Sequence, residues 1–264
     1  MSIPNTILIT GAASGLGHGF LAYYCQQPDT QVFAVDINEI KTPPASNLLD
    51  HTSNDQPSNI KTFQTDITSE ASVAALAQAL QQQPLNLIIH CAGARGLVSH
   101  LEQRHPNNVA ACETLPAMDL ATLQRTFTLN AAGTFLVLRA LLPNLALVAG
   151  SGRRPQVIVM ASRMGSLALN ARDRHPAAGG AYAYRASKAA QHAVVRSLAV
   201  DVPEVRFVLC HPGRVATGLV RCREEGALDV SEAVADVVKL IEGRSQGDCV
   251  SGGFSDRFGN SIEW

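Results

Sequence analysis

Absences set the first limits on this chain of 264 residues. It has no block of basic residues. Its 21 Lys and Arg stand against 22 Asp and Glu, a net charge of −1, and that balance leaves no electrostatic footprint for nucleic acid. Its six cysteines (Cys25, Cys91, Cys112, Cys210, Cys222 and Cys249) are scattered, with no CxxC pair. Such spacing argues against a metal site or a disulfide framework, and the expectation is reduced, buried thiols in a cytoplasmic protein. No basic leader or cleavage site precedes the first apolar run, since Met1 to Asn5 leads straight into Ile7-Leu8-Ile9. No apolar run is read as long enough to span a bilayer, so a membrane is not an expected partner. Charge itself is scarce, at 16% of residues against 46% hydrophobic. That balance suits an α/β protein with a buried parallel sheet.

What is present is an alternation of short β-rich runs with longer helical patterns. Strands are expected at Thr6 to Thr10, Gln31 to Val35, Lys61 to Thr65, Leu85 to His90, Gln156 to Met160 and Arg206 to Cys210. Helices are expected at about Leu16 to Gln27, from Asp66–Glu70 to about Gln83 with Thr68 or Ser69 as cap, Leu120 to about Leu145, Ala181 to Val200, and Ser231 to Glu242. Lys41 to Ser58 reads as a surface loop, Gly93 to Ala117 as irregular with one short helix, and Gly252 to Trp264 as a strand or tail. Neither a repeat nor a linker divides the chain. The pattern predicts one doubly wound parallel sheet with helices on both faces, a single dinucleotide-binding domain over residues 1–264.

Two constellations carry chemistry. Between the first strand and the first helix lies TGAASGLG, with Gly11, Gly15 and Gly17. Glycines let backbone approach a pyrophosphate, and the helix start offers free N–H groups and a positive dipole end. Asp36 closes the second strand about 20 residues further on, where a carboxylate can accept ribose hydroxyls and repel a 2′-phosphate. No Arg or Lys stands in the glycine turn or directly after Asp36, and Lys41 is the one cation nearby, so NAD is favoured over NADP. The second constellation is Tyr184-Arg185-Ala186-Ser187-Lys188. Tyr and Lys four apart share a helix face. An ammonium beside a phenol favours phenolate, so Tyr184 is expected to titrate below the usual value of about 10 and to handle a proton near neutral pH.

These residues carry a resemblance. The chain resembles the short-chain dehydrogenases/reductases over nearly its whole length, and within them the branch of the C-factor (C-signal) protein and the sniffer-type carbonyl reductases. The matching stretches are TGAASGLG, TDITSE after the third strand, CAG at 91–93, LNAAGTF around Asn130, MASRMGS around Ser162, YRASKAAQ, HPGRVATGL and the tail FGNSIEW. The resemblance implies a Rossmann fold and hydride transfer between a nicotinamide and an alcohol or carbonyl carbon. Tyr184 would be the general acid/base, Lys188 would lower its pKa and bind the nicotinamide ribose, Ser162 would polarise the substrate oxygen, and Asn130 would fix a water in a proton relay to Lys188. The glycine turn, with Ser14 and Leu16, would meet the pyrophosphate, Asp36 and Ile37 the ribose, and Asp66 and Ile67 the adenine. Cys91, Ala92 and Gly93 would line the cofactor, and Pro212, Gly213, Val215 and Thr217 would meet its nicotinamide end. A homodimer or homotetramer built on the helices around Asn130 and Tyr184 is also implied.

The chain departs from the family in three ways. Cys91 replaces the usual Asn that braces the sheet. Ser162 and Tyr184 are farther apart than is common, so Leu167 to Gly180 forms a surplus loop whose Arg172, Asp173, Arg174 and His175 either touch a polar substrate or lie in solvent. The polar stretch from Arg95 to Cys112 either covers the site or sits on the surface. His90 and Trp264 read as packing residues, His192 as helix packing or a subunit contact, His211 as a turn-shaping residue, and Gly218 to Val230 as a mobile lid. Two other functions stay open. One is an NAD(H)-binding regulator with little turnover. The other is an epimerase or dehydratase that regenerates its cofactor.

Overall fold

Apolar runs without alternation need cover on both faces, and this sheet has it. The structure is a computed structural model and describes residues 5–43, 59–174, 178–243 and 250–264. Its elements run β1 (Asn5–Thr10), α1 (Gly15–Tyr24), β2 (Thr30–Asp36), β3 (Ile60–Gln64), α2 (Glu70–Ala79), β4 (Leu87–His90), α3 (Ser99–Arg104), α4 (Leu120–Phe127), α5 (Gly133–Ala149), β5 (Gln156–Met160), α6 (Tyr182–Asp201), β6 (Arg206–His211), α7 (Val230–Ile241) and β7 (Gly253–Asp256). The strands form one parallel sheet in the order β3-β2-β1-β4-β5-β6-β7. Winding reverses between β1 and β4, where Thr10 pairs with both Val35 and His90. The loops leaving the carboxyl ends of the strands separate there and open a crevice.

The two-residue period of a strand sorts the core into two layers. Ile7 and Ile9 pack with Phe20 and Leu21 of α1 and with Val234 and Val237 of α7. Leu8 faces the other way, into the layer of Leu138, Leu141 and Leu145 from α5 and Val195 from α6. All of these are essentially unexposed. Burying each such side chain is worth about 1.5–3 kcal/mol, which is why the strand assignments hold where the apolar runs are longest.

The expected elements are present, with shifted ends. α1 stops at Tyr24 rather than Gln27. α2 starts at Glu70, with the Ser69 hydroxyl accepting the Ser72 N–H, and ends at Ala79. The tail becomes the edge strand β7, beside β6. The expected loop falls largely on residues 44–58, outside the described residues. α4, a widened turn at Thr128–Ala132 and α5 form one continuous helix. It is 30 residues long and contains an 18-residue stretch of mean hydropathy 1.7, long and apolar enough to cross a membrane, which corrects the expectation from sequence. More than half of its most apolar stretch is buried, through contacts with the sheet and α6, as in the core helix of a globular protein.

Candidate active site

The glycine turn follows β1. Gly11 has φ +69°, in the left-handed region. A Cβ on Gly17 would lie 2.0 Å from the Gly11 carbonyl oxygen, so the turn closes on itself only because position 17 has no side chain. Asp36 holds the turn from β2. One carboxylate oxygen accepts the Ala13 N–H at 3.0 Å, and the other accepts the Asn38 N–H at 2.9 Å and its side-chain amide at 3.2 Å. Beside the turn, the Thr10 hydroxyl accepts the N–H groups of Cys91 and Ala92 at 3.2 and 3.3 Å.

The turn is one wall of a crevice of about 1260 Å³ at the carboxyl edge of the sheet. Gly11, Ser14, Gly15, Leu16, Gly17, Asp36 and Ile37 line its first part, followed by Asp66, Ile67, Cys91, Ala92 and Gly93. Ser162, Tyr184 and Lys188 line its far part with Pro212, Gly213, Val215 and Thr217. Of the residues expected in the site, Asn130 alone is behind the wall. It sits in the widened turn between α4 and α5 and is fully buried. Its Oδ1 accepts the Ala94 N–H at 2.8 Å, and its Nδ2 donates to the Ala94 carbonyl at 2.8 Å and to Ser187 Oγ at 3.0 Å. Both amide protons are therefore used, while Oδ1 keeps one lone pair. A water relay through Asn130 Nδ2 would require one of its bonds to break.

Tyr184 and Lys188 share the buried face of α6, as the spacing requires. The electrostatics differ from the expectation. The Lys188 ammonium donates to the Met160 carbonyl at 2.8 Å and to Gln191 Oε1 at 2.9 Å, and it lies 5.8 Å from the centre of the Tyr184 ring. Burial pushes its pKa down to about 8. Burial also raises Tyr184 above its ordinary value of 10.0, against the lowering effects of Arg95 and of a hydrogen bond with Ser162. The expected acidic phenol is thus corrected. The lysine charge is directed at a carbonyl and an amide, and desolvation dominates at the phenol.

Beneath Lys188 a buried polar chain crosses the sheet. Gln191 Nε2 donates to Thr134 Oγ1 at 2.9 Å, and that hydroxyl donates to the Asn130 carbonyl at 2.7 Å. With its proton committed, Thr134 must accept from His90 Nε2 at 2.9 Å, so His90 Nδ1 is the acceptor for the Thr10 hydroxyl at 2.9 Å. Burial, then the Lys188 charge, pulls His90 down to about 3, so it stays neutral. His90 is a packed histidine, as expected. It also supplies a brace between β1, β4 and α5 in a chain that has Cys91 where the family has Asn.

The ambiguous segments divide. Arg95, Val109, Ala110 and Glu113 line the crevice, so the polar stretch after Gly93 contributes to the site wall. Arg172, Asp173 and Arg174 do not line it, and Arg174 pairs instead with Glu263 of the tail. His175 lies outside the described residues. In the expected lid, Gly218, Leu219, Val220 and Glu224 to Gly226 line the crevice. Parallel bridging between Val215 and Leu228 fixes the two ends of that segment together. His192 packs against the rings of Phe254 and Trp264, at 4.5 and 6.0 Å. His211 was underestimated: it lines the crevice, and its buried Nδ1 has no hydrogen-bond partner. Its position before Pro212, at the end of a buried strand, was the available signal. Arg95, Glu113 and Gln191 were missed, because single polar residues in irregular or helical context leave no periodic trace.

A family model described as short chain dehydrogenase matches residues 5–227. The C-signal protein of Myxococcus xanthus is 35% identical over 183 residues, covering 69% of this chain and 93% of that protein. The carbonyl reductase Sniffer of D. melanogaster superposes with a TM-score of 0.75 at 27% identity, covering 98% of this chain and 99% of that one. An NADPH-bound carbonyl reductase from chicken fatty liver gives 0.76 at 26% identity, with both chains covered in full. With this match, one seven-stranded parallel sheet and the glycine turn and Tyr-Lys helix on a common crevice, the chain belongs to the short-chain dehydrogenase/reductase family of NAD(P)-binding oxidoreductases.

Proposed function

We propose that this protein interconverts a secondary alcohol and a carbonyl compound at the far end of the crevice, with Tyr184 as general acid/base. The observation that carries the reading is that Ser162, Tyr184 and Lys188 face the same crevice as the glycine turn and Asp36. The crevice suits a dinucleotide. Its turn is a backbone cradle that a Cβ at Gly17 would fill, and Asp36 retains one acceptor direction, on Oδ2, for a ribose hydroxyl beyond the three its protein partners use. Gly11, Ser14, Gly15, Leu16 and Gly17 would hold the pyrophosphate, Asp36 and Ile37 the adenosine ribose, and Asp66 and Ile67 the adenine. Lys188 would hold the nicotinamide ribose, and Pro212, Gly213, Val215 and Thr217 the carboxamide end. When bound there, the nicotinamide supplies or accepts the hydride.

The rest falls to the chain. Ser162 donates to the substrate oxygen and steadies the charge that develops on it. Tyr184 gives that oxygen a proton in reduction and removes one in oxidation. Burial raises Tyr184 above its ordinary value, so oxidation, which needs the phenolate, should quicken as pH rises. NAD is favoured over NADP on the Asp36 carboxylate, although relatives of this fold bind NADPH or NADP. A homo-oligomer is proposed through α4 and α5, whose Leu120, Phe127 and Phe135 are exposed.

The test is a screen of secondary alcohols and ketones with NAD⁺, NADP⁺ and their reduced forms, run beside Tyr184→Phe. The variant should fold normally and lose about 10²- to 10⁴-fold in turnover. Wild-type turnover by Tyr184→Phe would end the reading. Nucleotide binding without turnover of any compound would favour the regulator.

A further inference from the structure

We propose that Arg95, locked against the Tyr184 ring by Glu113, is a positioning residue for the reaction and a second cation beside the phenol, in addition to Lys188. The inference rests on Tyr184 as the proton-handling group. Arg95 Cζ lies 4.9 Å from the centre of the Tyr184 ring, nearer than the Lys188 ammonium at 5.8 Å. Its Nε and Nη2 donate to the two oxygens of Glu113, each at 2.9 Å, and its Nη1 donates to Met164 Sδ at 3.0 Å. Both side chains of the pair are nearly buried, at 13% and 11% exposure. Two parallel bonds fix a guanidinium more firmly than a point charge can be fixed.

The pair is tied to the catalytic helix at its root. The Glu113 carbonyl accepts the N–H of Ala181 at 2.9 Å, and Ala181 sits at φ +49° as the residue that starts α6. Met164 belongs to the turn that begins at Ser162, whose hydroxyl accepts the Met164 N–H at 3.2 Å. Arg95 therefore connects the three segments that carry Ser162, Tyr184 and the loop after β4. Lys188 is held by Met160 and Gln191 and can itself lose its proton near pH 8. Arg95 cannot lose its charge in the working range, so it gives the phenol a constant neighbour. Arg95 and Tyr184 are both nearly buried, so that charge acts at reduced screening.

The groups facing Tyr184 give the effect its sign. Arg95 comes from the loop after β4, Glu113 from the segment before α4, Glu224 from the segment before α7, Ser162 from the end of β5, and Lys188 from α6 itself. Arg95 and the Ser162 bond draw the phenol down, and Glu113 and Glu224 push it up. Glu113 thus both holds Arg95 and offsets its field.

The test is an ultraviolet titration of tyrosinate in the nucleotide-free protein. Subtracting the Tyr184→Phe protein in each background removes Tyr23, Tyr24 and Tyr182. Glu113→Gln keeps an acceptor for Arg95 and should lower the Tyr184 midpoint by about one pH unit. Arg95→Met should raise it by a similar amount, and Arg95→Lys should leave it near wild type. Midpoints that coincide in wild type, Glu113→Gln and Arg95→Met, or a fall in Arg95→Met, would overturn the inference. If Arg95→Met fails to fold, Glu113→Gln decides alone. The titration reads the phenol whether or not Tyr184 does chemistry, so its failure is separate from wild-type turnover in Tyr184→Phe.

Discussion

The Asp36 carboxylate is shared between the protein and any ribose that reaches it. Each oxygen already accepts a backbone N–H, from Ala13 or Asn38, and the residue is 9% exposed. A carboxylate offers about four acceptor directions, and the Asn38 side-chain amide takes a third, so room for one ribose hydroxyl remains, while a phosphate on the 2′ position would meet an unneutralised charge. Asp36→Asn keeps the shape and an acceptor for one of these N–H groups and removes the charge. It should raise the preference for NADP⁺ over NAD⁺, read as the ratio of kcat/KM values, by about tenfold or more, a change of about 1.4 kcal/mol. An unchanged ratio would show that discrimination lies elsewhere, with Lys41 as the first residue to examine.

At the scale of elements, the start of α1 depends on one missing side chain. Gly17 is buried in the first turn of the helix, and a Cβ there would meet the Gly11 carbonyl oxygen at 2.0 Å and the Ala12 nitrogen at 3.1 Å. Both are backbone atoms that cannot swing aside. Gly17→Ala should cost about 1–3 kcal/mol and weaken nucleotide binding with it. Gly218→Ala, whose Cβ would have nothing within 4 Å, should leave stability unchanged. Thermal unfolding and a titration with NADH, followed by its fluorescence, check both. The pair also shows what the chain discloses on reading. The glycine turn, Asp36 and the Tyr184–Lys188 face were legible because short-range spacing and the strand–turn–helix order carry them. The strands were legible because Ile7-Leu8-Ile9 or Leu87 to His90 cannot be solvated on either face. The widened turn at Thr128–Ala132 was not, since one added residue in a helical turn barely disturbs an apolar period. Nor was the contact of Arg95 with Tyr184, which joins positions separated by most of two crossovers. Long-range polar pairing leaves no local signature.

For the molecule as a whole, the crevice concentrates the buried charge of a chain that has little charge to spend elsewhere. Lys188 is buried at the end of the Thr10–His90–Thr134–Gln191 chain. It gives stability a pH dependence of unusual sign. Folded, its pKa is near 8, and unfolded it returns toward the ordinary 10.5. Below about pH 8 both states hold the proton, and this group adds no slope. Between the two values the unfolded chain binds more protons than the folded one, so unfolding free energy rises with pH, by at most about 1.4 kcal/mol per pH unit. The raised Tyr24 and Tyr184 act oppositely once the unfolded tyrosines ionise, but they are common to wild type and Lys188→Met. Urea denaturation of the two proteins from neutral pH to about 10, without nucleotide, isolates the lysine. The stability of wild type relative to Lys188→Met should be level up to about pH 8 and then climb. A difference that stayed level throughout would mean that the Lys188 ammonium titrates as it does in water, with the Met160 carbonyl and the Gln191 amide fully compensating its burial.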